Sequence, residues 1–427
     1  MTRRRVPVAV LASMLALLLV IAWAMLAWPR AQFVPSRSPQ AWAATPENVA
    51  RGAYLARAGD CIACHTARGG PAYAGGRAID TPFGRLYGPN LTPDAATGLG
   101  SWSADDFWRA LHNGIGRDGR LLYPAFPYTH YTKVTRDDAD ALYAWLRTLS
   151  PVRQANRPHA LRFPYDSQLA LAGWRLLYFR PGVQAIDASK PAEWNRGAYL
   201  VEGLGHCSAC HSTRNAFGGA QGGLSGGLLP GIGWYAPSLA AGSEAGLGDW
   251  ALPHLAQLLH TGVSPRGAVF GPMAEVVGRS LQHLEEADVR AMAVYLKSLP
   301  AAREAPRPAA LPPPDEAMKL GRQLYEKHCI DCHGGDGRGA GLAYPPLAGN
   351  RTLTMESPVN AVRIVLNGGF PPSTRGNPRP YGMPPSSPVL SDTEVAAVVS
   401  YVRASWGNAA PAVTAAEVNR YRAVPLD

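Results

Sequence analysis

The sequence predicts an all-α protein in which three tandem helical domains follow one N-terminal transmembrane helix. Three observations support this fold class. A five-residue Cys-x-x-Cys-His motif occurs three times, each copy lies between an opening and a closing helical pattern, and a long uncharged stretch stands near the N-terminus. The expected boundaries are 1–35 for the cytoplasmic tip and membrane anchor, then 36–180, 181–305 and 306–427 for the three domains.

The N-terminal stretch predicts a membrane anchor. Arg3, Arg4 and Arg5 precede an uncharged run from Val6 to Trp28. As a helix this run extends roughly 34 Å, which is enough to cross a bilayer. Because such arginines stay in the cytoplasm, the rest of the chain is expected on the periplasmic side of the cell inner membrane. The alternative is a cleaved signal peptide, and Ala41-Trp42-Ala43 resembles a cleavage site.

The six cysteines all belong to the repeated motif, and each pair is followed at once by a histidine. Two thiols three positions apart lie on one side of a helical turn, where they can add to the two vinyl groups of one porphyrin. The adjacent histidine then ligates the iron, so the motifs predict three covalent haem c groups. A zinc site would need a fourth ligand, and a disulfide across two residues would be strained. The predicted attachment residues are Cys61, Cys64 and His65, then Cys207, Cys210 and His211, then Cys329, Cys332 and His333.

Each motif is preceded by an opening helix and followed, later in the domain, by a closing helix. Closing helices are predicted over 138–149, 287–299 and 393–402. A small residue on the opening helix lets an aromatic residue of the closing helix approach closely. The predicted pairs are Gly52 with Trp145, Gly197 with Tyr295, and Gly321 with Tyr401. Linkers are expected at 151–190 and in the proline-rich run 301–314.

Two methionines are candidates for the sixth iron ligand. In this kind of domain the second axial ligand usually comes from a loop before the last helix, and a thioether there raises the haem potential. Met273 follows Gly271-Pro272 in such a loop, and Met383 precedes Pro384 in another. Since proline restricts a loop, it helps to direct the sulfur inward. The alternative role of these methionines is simply to fill the core.

The first predicted domain has no methionine in the equivalent loop. Two histidines could serve there, His112 and His130. His112 has a counterpart, His260, in the second domain, where Met273 is the expected ligand, and this favours His130 for the first haem. An open or water-ligated iron is the remaining alternative. A bis-histidine iron should lie at a lower potential than the two His/Met haems.

The charge of the chain argues for no nucleic-acid partner. The formal net charge is +10, but the six propionates of three haems would lower it to about +4. The stretch Gly114 to Gly119 matches G-x-G-x-x-G by letter, yet it follows a helical segment rather than a strand and is read as a loop. No catalytic residue is predicted.

Taken in order around the three motifs, several stretches resemble the triple-haem cytochrome c subunits of bacterial membrane-bound dehydrogenases. These stretches are 87–94, 122–125, 196–201 and 405–408. The resemblance implies class I-like cytochrome c domains and a separate large subunit that oxidises an alcohol, aldehyde or sugar with a quinone, flavin or molybdenum cofactor. It also implies that electrons pass to membrane ubiquinone or a terminal oxidase. The methionine usual for the first domain of this family is replaced by Phe126.

Two other functions remain open from the sequence. One is a free-standing, membrane-anchored shuttle of electrons between respiratory complexes. The other is a haem enzyme that uses the first haem, if its sixth position is open.

Overall fold

The computed structural model describes residues 42–229, 231–242, 246–301 and 312–424, together with Ala16 and Val20. The chain divides into two compact units, Met1–Ala53 with Cys64–Gln184, and Tyr54–Ala63 with Ala185–Asp427. The described residues are rich in helix, which agrees with the predicted class, and they also contain short strands, which an all-α prediction does not include. The expected boundary at residue 305 lies outside the described residues, and the three-domain division stays a prediction.

Side chains cap the N-termini of helices in the first predicted domain. Ser103 and Asp106 form a reciprocal capping box at the start of one helix, which ends at Gly114 with a φ of 60°. Thr135 caps the closing helix by accepting a hydrogen bond from the Asp138 amide. The helices are α1 Pro46–Ala58, α2 Cys61–His65, α3 Ala104–Asn113, α4 Tyr128–Tyr131, α5 Arg136–Leu146 and α6 Gln168–Tyr178, and the strands are β1 Ala78–Thr81, β2 Gly84–Tyr87 and β3 Ala160–Leu161.

The second compact unit contains the second and third motifs. A buried aliphatic cluster centred on Val362, Leu366, Val395 and Val399 forms the core behind the third motif. The helices are α7 Ala192–Tyr199, α8 Leu252–Thr261, α9 Pro272–Arg279, α10 Glu286–Lys297, α11 Asp315–His328, α12 Ile330–His333, α13 Arg351–Thr354, α14 Val359–Asn367, α15 Asp392–Arg403 and α16 Ala415–Arg422. The strands form antiparallel pairs, β4 Thr213–Arg214 with β5 Ala220–Gln221, β6 Gly227–Leu229 with β7 Trp234–Ala236, and β8 Val263–Ser264 with β9 Gly267–Ala268.

The same close helix crossing occurs three times, and it confirms the three predicted glycine–aromatic pairs. A Cβ atom on Gly52 would lie 2.7 Å from Cβ of Trp145, one on Gly197 would lie 2.9 Å from Cβ of Tyr295, and one on Gly321 would lie 2.7 Å from Cβ of Tyr401. In each case it would also lie within 2.3 Å of a backbone carbonyl oxygen of the closing helix. No side chain larger than hydrogen fits at these positions.

An ion pair accompanies two of the three crossings. Nε of Arg51 donates to Asp138 at 2.7 Å, and Nε of Arg196 donates to Asp288 at 2.8 Å. In both cases the arginine directly precedes the crossing glycine. In the third crossing Leu320 takes the place of the arginine, so apolar packing replaces the ion pair there.

The expected linker at 151–190 contains regular structure. Residues of α6 carry the helical apolar spacing, and Ser167 caps its first turn. Arg175 of this helix is buried and donates to the carbonyl oxygens of Asn113, at 2.6 Å, and Gly114, at 3.4 Å. Because these carbonyls terminate α3, the guanidinium satisfies acceptors that the helix leaves open. The helix was not predicted from the sequence, and the assignment of 151–190 as the connection between two domains stays a prediction.

The membrane anchor predicted over residues 6–28 lies outside the described residues, apart from Ala16 and Val20. Among the residues that the structure describes, none of the helices has both the length and the apolar character needed to span a bilayer.

Candidate haem-attachment sites

Each Cys-x-x-Cys-His motif forms about one turn of helix. The first motif is helix α2, the second begins as the short 3₁₀ turn Cys207–Ala209, and the third ends in α12. The amide of His211 donates to the carbonyl of Cys207 at 2.9 Å, and that of His333 donates to Cys329 at 3.0 Å. These bonds place the histidine one turn after the first cysteine, as covalent attachment of a porphyrin beside an axial histidine requires.

A proline carbonyl orients each of the three histidines. Nδ1 of His65 lies 2.8 Å from the carbonyl oxygen of Pro89. The corresponding distances are 2.7 Å from His211 to Pro237 and 3.1 Å from His333 to Pro345. Because a carbonyl oxygen only accepts hydrogen bonds, Nδ1 must be the protonated nitrogen. Nε2 then keeps its lone pair, which is the form of imidazole that binds iron.

Burial keeps these imidazoles neutral. It lowers the pKa of His65 below its usual value, against the opposing effect of the bond to Pro89. Burial also lowers the pKa of His333, and it lowers that of His211 to about 4, where the charge of Arg351 adds to the effect. All three rings are therefore uncharged at neutral pH, as an iron ligand must be.

The role of the three prolines was not predicted from the sequence, although each of them stands in the same short pattern. Every one begins the pattern Pro-x-Leu, at Pro89, Pro237 and Pro345. Gly88 allows the first of these loops to approach the motif, because a Cβ atom there would lie 1.9 Å from the carbonyl oxygen of Cys64.

The donor set fits haem c better than a zinc site or a disulfide. None of the six cysteines is in a disulfide. Burial raises the pKa of Cys207 to about 12 and that of Cys329 to about 11, so both groups are protonated thiols before attachment. The zinc alternative would need a cluster of side-chain ligands, and no group of three or more His, Cys, Asp and Glu suited to a metal ion occurs among the described residues.

The backbone fixes the position of both candidate methionines, with Met273 in a helix rather than in the expected loop and Met383 in a loop. Met273 is in the first turn of α9, directly after Gly271-Pro272, and Gly271 has a φ of 55° and is packed against the indole of Trp234. Met383 exchanges two backbone hydrogen bonds with Gly369, of 2.8 and 3.0 Å. Both methionines are partly buried. The backbone at each methionine therefore has a defined path, which suits a residue that must present its sulfur to a metal.

Phe126 occupies the position in the first domain that Met273 has in the second. After α3, the amide of Leu122 donates to the carbonyl of Gly114 at 2.8 Å, and after α8 the amide of Val269 donates to Gly262 at 2.9 Å. Phe126 and Met273 each come four residues after the donor. The hydrogen bonds therefore align the two loops, and they support the substitution inferred from the sequence.

The two candidate histidines of the first domain have different surroundings. His112 stacks on Trp108 with ring centroids 4.4 Å apart, and its Nδ1 lies 3.5 Å from the Thr132 hydroxyl. These contacts agree with a packing role for His112. His130 is partly buried on α4, four residues after Phe126.

A family model described as cytochrome c matches residues 49–150 and 318–406, which contain the first and third motifs. The cytochrome c subunit of alcohol dehydrogenase (quinone) from Gluconobacter oxydans is 38% identical over 392 residues, covering 88% of this chain and 82% of that protein. The gluconate 2-dehydrogenase cytochrome c subunit of Pantoea cypripedii is 40% identical over 395 residues, covering 88% and 89% respectively. The chain belongs to the cytochrome c subunits of dehydrogenase complexes.

Membership in this family establishes covalent haem c and electron transfer for the chain, and it confirms the resemblance seen in the sequence. A third relative, one of the nicotinate dehydrogenase subunits of Pseudomonas putida, is 42% identical over 392 residues, which is 90% of this chain. The chain spans about a third of the length of that protein, 32%.

Proposed function

We propose that this cytochrome c subunit carries three haems and relays electrons from a large dehydrogenase subunit on the periplasmic side of the inner membrane. The observation that carries the proposal is a contact that occurs three times. In each motif the histidine donates a hydrogen bond to the carbonyl oxygen of a proline, and these prolines are Pro89, Pro237 and Pro345. The second site has this geometry although the family model does not match residues 151–317. Because all three histidines make the same hydrogen bond, we infer that each of the three motifs binds a haem.

Each attached haem supplies an iron that takes up and releases one electron. The chain contributes the two thioether bonds and the proximal histidine at each site. It also contributes the proposed sixth ligands Met273 and Met383 for the second and third haems, and His130 for the first. With histidine in place of methionine, the first haem has the lowest potential of the three.

The proposed partner is a large subunit that uses a quinone, flavin or molybdenum cofactor, and the proposed acceptor is membrane ubiquinone or a terminal oxidase. The relatives support the partner, because they are named as subunits of dehydrogenases for alcohols, gluconate and nicotinate. A membrane anchor at residues 6–28 would hold the chain beside the acceptor.

The test is to purify the tagged full chain from detergent-solubilised membranes of its own host. A large cofactor-bearing subunit should co-purify, and one substrate among alcohols, sugars, gluconate and nicotinate should reduce the haems. The matched control is the Cys207→Ser, Cys210→Ser variant, in which one haem fewer is reduced. A chain that purifies alone and is reduced by none of these substrates would instead be a free electron shuttle.

Phe126 gives one specific reason to consider a haem enzyme as the second candidate. If neither His130 nor another side chain ligates the first iron, the isolated protein binds carbon monoxide at one haem. Absence of carbon monoxide binding removes this candidate and leaves the relay.

A further inference from the structure

A cluster of two arginines and a tryptophan lies in the second compact unit, next to the loop that orients His211. The guanidinium carbons of Arg351 and Arg266 each lie 5.6 Å from the ring centroid of Trp250. Arg351 donates through Nη2 to the carbonyl oxygen of Ser238. Ser238 directly follows Pro237, the acceptor for His211, so Arg351 is one residue away from the contact that prepares the second iron ligand.

Two donors of this cluster are buried without an acceptor among the described residues. These are Nε of Arg351 and Nε1 of Trp250, and Trp250 is only 3% exposed. A buried donor that has lost water and gained no partner destabilises the folded chain. Both groups belong to side chains in contact with one another, which indicates a common acceptor.

The positive charge of the cluster indicates that the common acceptor is an anion. Asp249 forms its ion pair with Arg266, and Arg351 has no salt-bridge partner among the described residues. Burial lowers the pKa of Arg351 to about 10, with Asp249 opposing the shift and Arg266 adding to it, so the group is still protonated at neutral pH. An anionic acceptor with two oxygens, such as a carboxylate, would satisfy a guanidinium and an indole N–H together.

Hydrogen bonds fix the backbone on both sides of the cluster. Lys297 donates to three carbonyl oxygens of the loop before α8, including that of Trp250 at 2.6 Å. On the other side, Asn350 caps the short helix that begins with Arg351 and donates to the carbonyl of Pro346 at 2.8 Å. Pro346 follows Pro345, the acceptor for His333. Arg351 therefore joins the loop that orients the third histidine to the loop that orients the second.

We propose that Arg351 and Trp250 bind a propionate carboxylate of the haem attached at Cys207 and Cys210, so that a residue following the third motif completes the site of the second haem. This inference rests on the proposed three-haem relay. The ion pair fixes the second haem relative to the backbone around the third, and its positive charge stabilises the reduced form of the second haem.

The test is a redox titration of the purified holoprotein in carboxylate-free buffer, with Arg351→Gln, Arg351→Lys and Trp250→Phe variants. Arg351→Gln removes the positive charge, so the midpoint potential of one haem should fall while the other two stay unchanged. Trp250→Phe keeps an aromatic ring but loses the indole N–H, and because no charge is removed it should lower the same component by less. Arg351→Lys keeps the charge and should restore most of the shift.

The matched control is Arg338→Gln, because Arg338 is an exposed arginine that follows the third motif and its side chain is 83% exposed. It should leave all three potentials in place. Unchanged potentials in Arg351→Gln, or an equal fall of all three, would overturn the proposal. Mass spectrometry of haem content in each variant separates this outcome from a failure of the three-haem relay, in which the wild type itself lacks a haem on the second motif.

Discussion

The hydrogen bond from a histidine ring to a proline carbonyl prepares each motif histidine to bind iron. The hydrogen bond fixes both the tautomer and the orientation of the ring, as an outer partner of a metal ligand does. The motif histidines were identified from the sequence because their spacing to cysteine is fixed. The prolines were not, since Pro89 and Pro237 lie 24 and 26 residues beyond the histidines they contact.

The sixth ligands give the sharpest prediction at the scale of single residues. Replacing Met273 or Met383 by alanine should abolish the methionine–iron absorption of one haem and lower the potential of that haem, because a thioether ligand favours ferrous iron. In the wild type, one haem component should lie below the other two and lack that absorption. Spectra recorded during a redox titration measure both quantities.

Met318→Ala is the control for these variants. Met318 lies on α11, ahead of the third motif, and its loss should change neither the absorption nor any potential. A methionine–iron absorption from all three wild-type haems would show that the first haem has a methionine ligand, which contradicts the assignment of His130.

At the scale of elements, the helix crossings were predictable and helix α6 was not. Gly52, Gly197 and Gly321 recur at one place in a repeated pattern, and a repeated small residue opposite an aromatic residue indicates close packing. Helix α6 was missed because prolines at 151, 158, 164 and 181 surround it and favour an irregular chain. Helix α6 is stabilised by a tertiary contact, the burial of Arg175 against the end of α3. The local sequence pattern does not predict such a contact.

The crossing glycines should be intolerant of any side chain. In Gly52→Ala the new Cβ would lie 2.0 Å from the carbonyl oxygen of Ala141, so the two helices must separate. We expect a loss of about 3 kcal/mol in the free energy of unfolding, at the upper end of the range for overpacked cores. Denaturant unfolding of the holoprotein, followed by circular dichroism, measures the change.

Gly182→Ala is the matched control for Gly52→Ala. Gly182 is exposed, and no described atom beyond its chain neighbours lies within 4 Å of the place that a Cβ atom would take there. Its substitution should therefore leave the unfolding midpoint unchanged. Equal stability of the Gly52→Ala variant and the wild type would contradict the close crossing of α1 and α5.

At the scale of the whole molecule, hydrogen bonds from side chains connect the two candidate haem sites of the second compact unit. Arg351 reaches Ser238, and Asn360 exchanges hydrogen bonds of 2.9 and 2.7 Å with the backbone of Tyr235. These contacts connect residues more than 100 positions apart in the sequence. For this reason the individual haem motifs could be predicted from the sequence, whereas the hydrogen bonds that connect the second and third could not.

The central claim is that all three motifs carry haem, and peptide mass spectrometry of the mature protein tests it most directly. After proteolysis, the peptides containing Cys61 and Cys64, Cys207 and Cys210, and Cys329 and Cys332 should each carry the mass of one haem. The second peptide is decisive, because the family model matches the chain only around the first and third motifs. Recovery of that peptide without haem, while the other two carry it, would contradict the three-haem relay.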